Sequence, residues 1–366
     1  MPWHESECLI RQSRTPIIKT VVVYGWSRVY LYPPKHWIAH TERVAMSTYT
    51  KEVRRFALFI SAITAISLAI SGCSSQTAQV IDQQPKTSQF VLDSFQDGEF
   101  LTPFEAGKAE MGLTLEALVN LSTLGYTEEQ LKPAINWVTS NTDLLTSAGL
   151  KATYVFTAHA AGFGDHPTVP SVLFDVKAAI DSEGFVADTN NFAYSWVILA
   201  LMASQDTDLA NQVALQLTKN AESTGGYKYT KGDSQSAEAA DVTAFAVMAI
   251  KSTEEFGSAD NKSVKQAATE KSLAWLQDNL VEGTHYVSYG ANDLAGASYG
   301  AMALIASGID ATKSVEWLAS QINATDFGIP SAYSEGASDV FTSVQALLPL
   351  SSLTFIDVLN KINESK

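Results

Sequence analysis

Residues 192–204 read FAYSWVILALMAS, and DLANQVALQLTKNAE follows at 208–222. The first segment is apolar on nearly every side, as a helix surrounded by protein must be. The second places Leu209, Val213 and Leu217 at i, i+4 and i+8, with Lys219 and Glu222 on other sides. That spacing describes a helix lying on a core with one face in water. A unit of this kind cannot bury its own apolar surface alone, so it must stack against others like it.

The same pair recurs in both directions along the chain. Apolar segments stand at GLTLEALVNLSTLG (112–125), KATYVFTAHAAGF (151–163), DVTAFAVMAIKS (241–252), AGASYGAMALIASG (295–308) and DVFTSVQALLPL (339–350). Amphipathic ones alternate with them at 128–141, 169–182, 262–280, 311–323 and 352–364. Ala117, Ala158, Ala200, Ala249, Ala303 and Ala346 align as the repeat's central small residue. Glycine turns such as Leu124-Gly125 and Ser307-Gly308 close the apolar helices. Six pairs predict an all-α protein, an α/α toroid over 105–366 with six inner and six outer helices. An open helical solenoid is the alternative. Alternation makes every inner helix run the same way, so their N-termini gather at one end.

The N-terminal part is of another kind. Residues 56–71, FALFISAITAISLAIS, carry no charge and follow Lys51, Arg54 and Arg55. A basic region before a short apolar run is the layout of an export signal. The run ends in Ile70-Ser71-Gly72-Cys73, which resembles the bacterial lipobox, with 46–72 as signal peptide and Cys73 as the acylated residue. Stable attachment takes more than one acyl chain. The expected location is extracytoplasmic, on the outer surface of a cell membrane. Residues 1–45 read as upstream sequence ahead of a start at Met46. Residues 73–104, rich in Gln and Ser up to Glu99, read as the lipidated cysteine and a flexible linker.

After Cys73 the chain holds 35 Asp and Glu against 15 basic residues, all of them lysine. Nucleic acid binding needs a basic footprint and is excluded as a partner. Polyanionic ligands lack the arginine clamp that usually holds them. Cys8 is the only other cysteine, and His159, His166 and His285 stand at no metal-binding spacing, so neither a metal site nor a disulfide is expected.

The repeat resembles the terpenoid-cyclase/protein-prenyltransferase superfamily of α6/α6 toroids across roughly 105–364. The resemblance rests on Ser223-Thr224-Gly225-Gly226-Tyr227 leading into Asp241-Val242-Thr243-Ala244-Phe245-Ala246, and on Leu273-Ala274-Trp275-Leu276-Gln277 ahead of Gly283. The catalytic motifs of that superfamily do not carry over. The chain has no adjacent aspartate pair for D-x-D-D or D-D-x-x-D, no cysteine after Cys73 for a zinc site, and no C-x-E-Q thioester segment. Asp241–Ala246 also resembles, loosely, the D-T-x-A-M-A start in the cobalamin carriers. That likeness implies a corrinoid-like ligand as one form of ligand capture, although those carriers clamp theirs between the ring and a second β domain, which is not expected in this chain.

A site is expected where inner-helix N-termini converge. The connections there carry Tyr227, Tyr229, Tyr286, Tyr289 and Tyr333, with Asp241, Asp293, Glu335 and Asp339 close by. Aromatic platforms and carboxylates around a concavity suit a ligand. The same residues also suit a structural part, the tyrosines wedging repeats together and the aspartates capping helices. No catalytic residue is singled out. The expected function is non-enzymatic capture of a small molecule or glycan, with the membrane and a transporter as partners. A glycoside hydrolase or polysaccharide lyase on the same ring, and an envelope protein-interaction module, are the alternatives.

Overall fold

A computed structural model describes residues 74–187, 190–332 and 334–365. The expected signal peptide, the segment 1–45 and Cys73 lie outside the described residues, as do Asp188 and Tyr333. Helix α1 spans Ser74–Asp93. The inner helices follow as α2 (Met111–Thr123), α4 (Ala148–Ala160), α6 (Asn191–Ala203), α8 (Ala240–Lys251), α10 (Leu294–Ala306) and α12 (Val340–Leu350). Between them run α3 (Glu128–Ser140), α5 (Thr168–Ala178), α7 (Thr207–Thr218), α9 (Ala259–Asp278) and α11 (Thr312–Ser320), and α13 (Phe355–Glu364) ends the chain.

Each inner helix packs on the next, and α12 returns to α2, so the ring is closed and the solenoid alternative falls. The seam is tied by Asn120 Nδ2, which donates to the Val344 carbonyl at 2.8 Å across α2 and α12. All thirteen residues of α6 are buried, as its unbroken apolarity requires.

Two parts depart from expectation. The stretch read as a linker forms α1 and the turns after it. Thr87, Ser88, Val91, Phe95 and Leu101 are buried, and α1 packs on α11, α12 and α2 as the sixth outer helix. Its short apolar stripe is hidden among Gln and Ser, so composition alone reads as linker. The last helix is displaced in consequence: α13 packs against α4 and α6 instead of joining the outer layer. Phe355, Val358, Leu359 and Ile362 are its buried stripe, and Thr354 with Asp357 forms a capping box that starts it.

Among the described residues, the outer-to-inner connections carry three small hairpins. Strand β1 (Tyr227–Lys228) pairs with β2 (Glu238–Ala239), β3 (Tyr286–Ser288) with β4 (Ala291–Asp293), and β5 (Ile329–Pro330) with β6 (Ser338–Asp339). One device joins several connections to their helices. A hydroxyl in the first turn accepts from the incoming loop: Thr114 from Leu101 N at 3.0 Å, Thr243 from Tyr227 N at 2.9 Å, and Ser343 from Ile329 N at 2.8 Å. The same hydroxyls donate to the carbonyls of Glu110, Ala239 and Asp339, so no buried donor or acceptor in this joint is wasted. This joint gives the hydroxyls of Thr243 and Ser343, near the start of α8 and α12, their structural part.

Candidate functional site

The bore is lined by one register of residues. The sixth positions of α2, α6, α8, α10 and α12 are Glu116, Trp196, Phe245, Tyr299 and Gln345, all buried. Trp196 meets Phe245 edge-on with centroids 4.8 Å apart, and Phe245 meets Tyr299 at 5.4 Å. Phe355 from α13 enters the same cluster, 5.2 Å from Trp196 and 5.4 Å from Phe245. Phe192 lies over Phe245 and Tyr299 towards the hairpin end, with Tyr229 on top of it at 6.2 Å. Aromatic side chains of the chain itself therefore fill the middle of the ring.

Glu116 is the carboxyl within this layer. The Tyr299 hydroxyl donates to Glu116 Oε1 at 3.0 Å, while Oε2 has no hydrogen-bond partner. Burial pushes its pKa up to about 7, and the Tyr299 hydrogen bond restrains the rise. Tyr299 itself is held well above the usual phenol range by burial and by the charges of Glu116 and Asp241. The sequence carried one signal for this group, a lone acid inside the apolar segment GLTLEALVNLSTLG.

The expected site residues divide by place. Tyr227 and Tyr286 are buried wedges at the hairpin bases, their hydroxyls pushed up in pKa by burial. A Cβ at Gly300 would run into the Tyr286 ring, which explains glycine in the middle of α10. Asp293 caps α10 through Gly296 N at 2.9 Å, and Asp339 caps α12 through Phe341 N at 2.8 Å. Asp241 lies half-buried in the first turn of α8, its Oδ1 accepting from Val242 N at 2.9 Å. Tyr229 is half-buried against Phe192, and its carbonyl accepts from Asn191 N at 2.8 Å. Tyr289, 62% exposed, and the exposed Glu335 sit in hairpin turns at positive φ, 53° and 52°. Tyr333 lies outside the described residues. Tyr229 thus sits over Phe192, Asp241 opens α8, and Tyr289 and Glu335 stay on the rim.

Among the described residues, no three His, Cys, Asp or Glu side chains gather as a metal site. A groove of about 590 Å³ opens between α1, α10, α11 and α12, lined by Ile305, Ile309, Val315 and Leu350 with Asp310 and Glu316. It lies at the C-terminal ends of the inner helices, away from the hairpins.

Closed ring, alternating layers and parallel inner helices define an α/α toroid. No family model matches the chain, and no curated protein does. Solved structures do match in fold. The type II terpene cyclase MstE from Scytonema is 14% identical, with a TM-score of 0.55, and the match covers 75% of this chain and 98% of that one. The unsaturated glucuronyl hydrolase of Bacillus sp. GL1, responsible for the degradation of glycosaminoglycan, is 12% identical, with a TM-score of 0.54, covering 75% and 96%. Haptocorrin in complex with Cbi is 13% identical, with a TM-score of 0.52, covering 77% and 67%. Identities this low establish the shared toroid and nothing finer.

Proposed function

We propose that this protein is a lipid-anchored, outward-facing binding module that captures its ligand at the hairpin end of the ring without transforming it. One observation carries the reading. Among the described residues, six of the eight exposed large hydrophobic residues lie on outer-to-inner connections: Phe104, Leu144, Phe185, Val281, Val287 and Tyr289. The other two, Phe174 and Val264, sit on α5 and α9, and the opposite connections carry none. In this reading, these side chains supply the apolar contact points for the ligand at the hairpin end.

The way the chain enters the ring supports the same orientation. Gln84 on α1 lies beside Leu350, Ser351 and Ser352, at the end opposite the hairpins. With Cys73 acylated, eleven residues earlier, the hairpin end would face away from the membrane. Two of the candidate carboxylates, Asp293 and Asp339, are engaged as helix caps.

A carbohydrate-cleaving enzyme is the second reading, favoured by Asp241 and Glu335 at the same end. Hydrolysis needs two carboxylates flanking the bond. Native mass spectrometry of the lipoprotein, released gently from its host membrane, separates the two. A stoichiometric adduct of a few hundred to about 1,500 daltons, such as a corrinoid or an oligosaccharide, or a bound polypeptide, supports capture. Turnover of oligosaccharides, abolished by Asp241→Ala or Glu335→Ala in a folded protein, would replace capture with catalysis.

A further inference from the structure

The hairpin end is acidic as well as apolar. The six outer-to-inner connections, 94–110, 141–147, 179–190, 219–239, 279–293 and 321–339, hold sixteen Asp and Glu against four Lys. The inner-to-outer connections at the other end are short and hold five acids and no lysine. Several of the hairpin-end acids are exposed beside the apolar rim: Glu105 next to Phe104, Asp143 next to Leu144, Glu183 near Phe185, and Glu282 next to Val281. Phe104 is 73% exposed, with its ring 5.8 Å from that of Phe341 on α12. Asp293 and Asp339 stand at the N-termini of α10 and α12 and offset the positive ends of those two helices.

We propose that the hairpin end is the docking face for a cationic, amphipathic polypeptide segment, whose basic side chains meet the acids and whose apolar side chains seat on Phe104, Phe185 and Tyr289. The inference rests on the binding reading above and names its partner. Net negative charge steers a basic partner and rejects an acidic one. The spaced apolar residues give contact area that charge alone does not supply. A neutral glycan would use the aromatics and leave the acids without a purpose. An anionic glycan or nucleic acid would be repelled.

The test uses the mature lipoprotein in phosphatidylcholine nanodiscs and an immobilised synthetic helix of Lys and Leu at amphipathic spacing. A Glu/Leu twin and neutral oligosaccharides serve as controls. Saturable binding of the Lys/Leu peptide alone is expected, weakening at least tenfold as salt rises from about 0.05 to 0.5 M, because the charges are solvent-exposed. The triple variant Phe104→Ser, Phe185→Ser, Tyr289→Ser should weaken it at least tenfold with an unchanged melting temperature. Phe174→Ser, on the outer layer and 71% exposed, should leave it unchanged. Equal binding of the Glu/Leu twin, or full binding by the triple variant, overturns the inference. So does an absence of peptide binding, and a ligand still found by native mass spectrometry would then keep the capture reading and remove only this partner class.

Discussion

Tyr299 on α10 donates its hydroxyl to Glu116 on α2 at 3.0 Å, joining two inner helices that are not neighbours in the ring. The bond ties α10 to α2 past α12, inside a cluster of aromatic rings. It is a polar strut among the aromatic rings that fill the bore.

The strut makes stability depend on pH. In the unfolded chain Glu116 titrates near its ordinary 4.5, and in the fold near about 7. The native state therefore holds the proton longer, and stability falls as pH rises from about 5 through about 7, with the full penalty in place above that. The ceiling on the effect is about 3 kcal/mol. Glu116→Gln keeps an acceptor for Tyr299 and removes the charge. Its melting temperature should match wild type at pH 4.5 and exceed it at pH 8 by roughly 5–10 °C, given about 2–4 °C per kcal/mol at this size. Parallel melting curves across that range would remove Glu116 as the titrating group.

Phe355 is the plug of the bore, touching rings from α4, α6, α8 and α10. Phe355→Ala should cost about 3–5 kcal/mol and open a cavity. Calorimetry measures the loss, and xenon or benzene binding reports the cavity. A loss below about 1 kcal/mol would mean that α13 is not integral to the core.

The two helix caps separate structure from chemistry. Asp293→Ala and Asp339→Ala should each lower stability by about 1 kcal/mol. Ligand retention, read by native mass spectrometry at a temperature where both variants are folded, should stay at the wild-type level. Loss of ligand or of turnover without loss of stability would reassign these aspartates to the site.

Lys265 is fully buried, its Nζ donating to Asn211 Oδ1 at 2.6 Å, to the Phe256 carbonyl at 3.0 Å and to the Thr253 carbonyl. Burial pulls its pKa down to about 8. Lys265→Met leaves three acceptors without their donor and should destabilise by about 1–3 kcal/mol, seen as a fall in melting temperature and faster amide exchange at the start of α9. An unchanged melting temperature would make the ammonium dispensable.

The ring was legible in the sequence because each inner helix is apolar all round and each partner is not, a contrast that survives without knowledge of contacts. FAYSWVILALMAS and its five counterparts all became inner helices. The two departures have a common cause. α1 is polar by composition, with its buried residues few and spaced, and α13 has the stripe of an outer helix. Only the three-dimensional count of positions shows α1 taking the sixth outer place and α13 the bore. At the candidate site, sequence could not separate wedges and caps from the residues left on the rim. Tyr286 is a wedge because Gly300 makes room for it, and Asp293 is a cap because its carboxylate reaches Gly296 N. Lys265 gave no signal, standing among the solvent-facing lysines Lys262 and Lys271.

The most direct test of the proposed recognition at the hairpin end is hydrogen–deuterium exchange on the protein as isolated from its host and again after a high-salt wash that would strip a bound partner. Exchange should rise on stripping within 94–110, 179–190, 279–293 and 321–339, while α2, α10 and α12 around Glu116 stay unchanged. A rise centred on those inner helices would place the ligand in the bore and contradict the assignment.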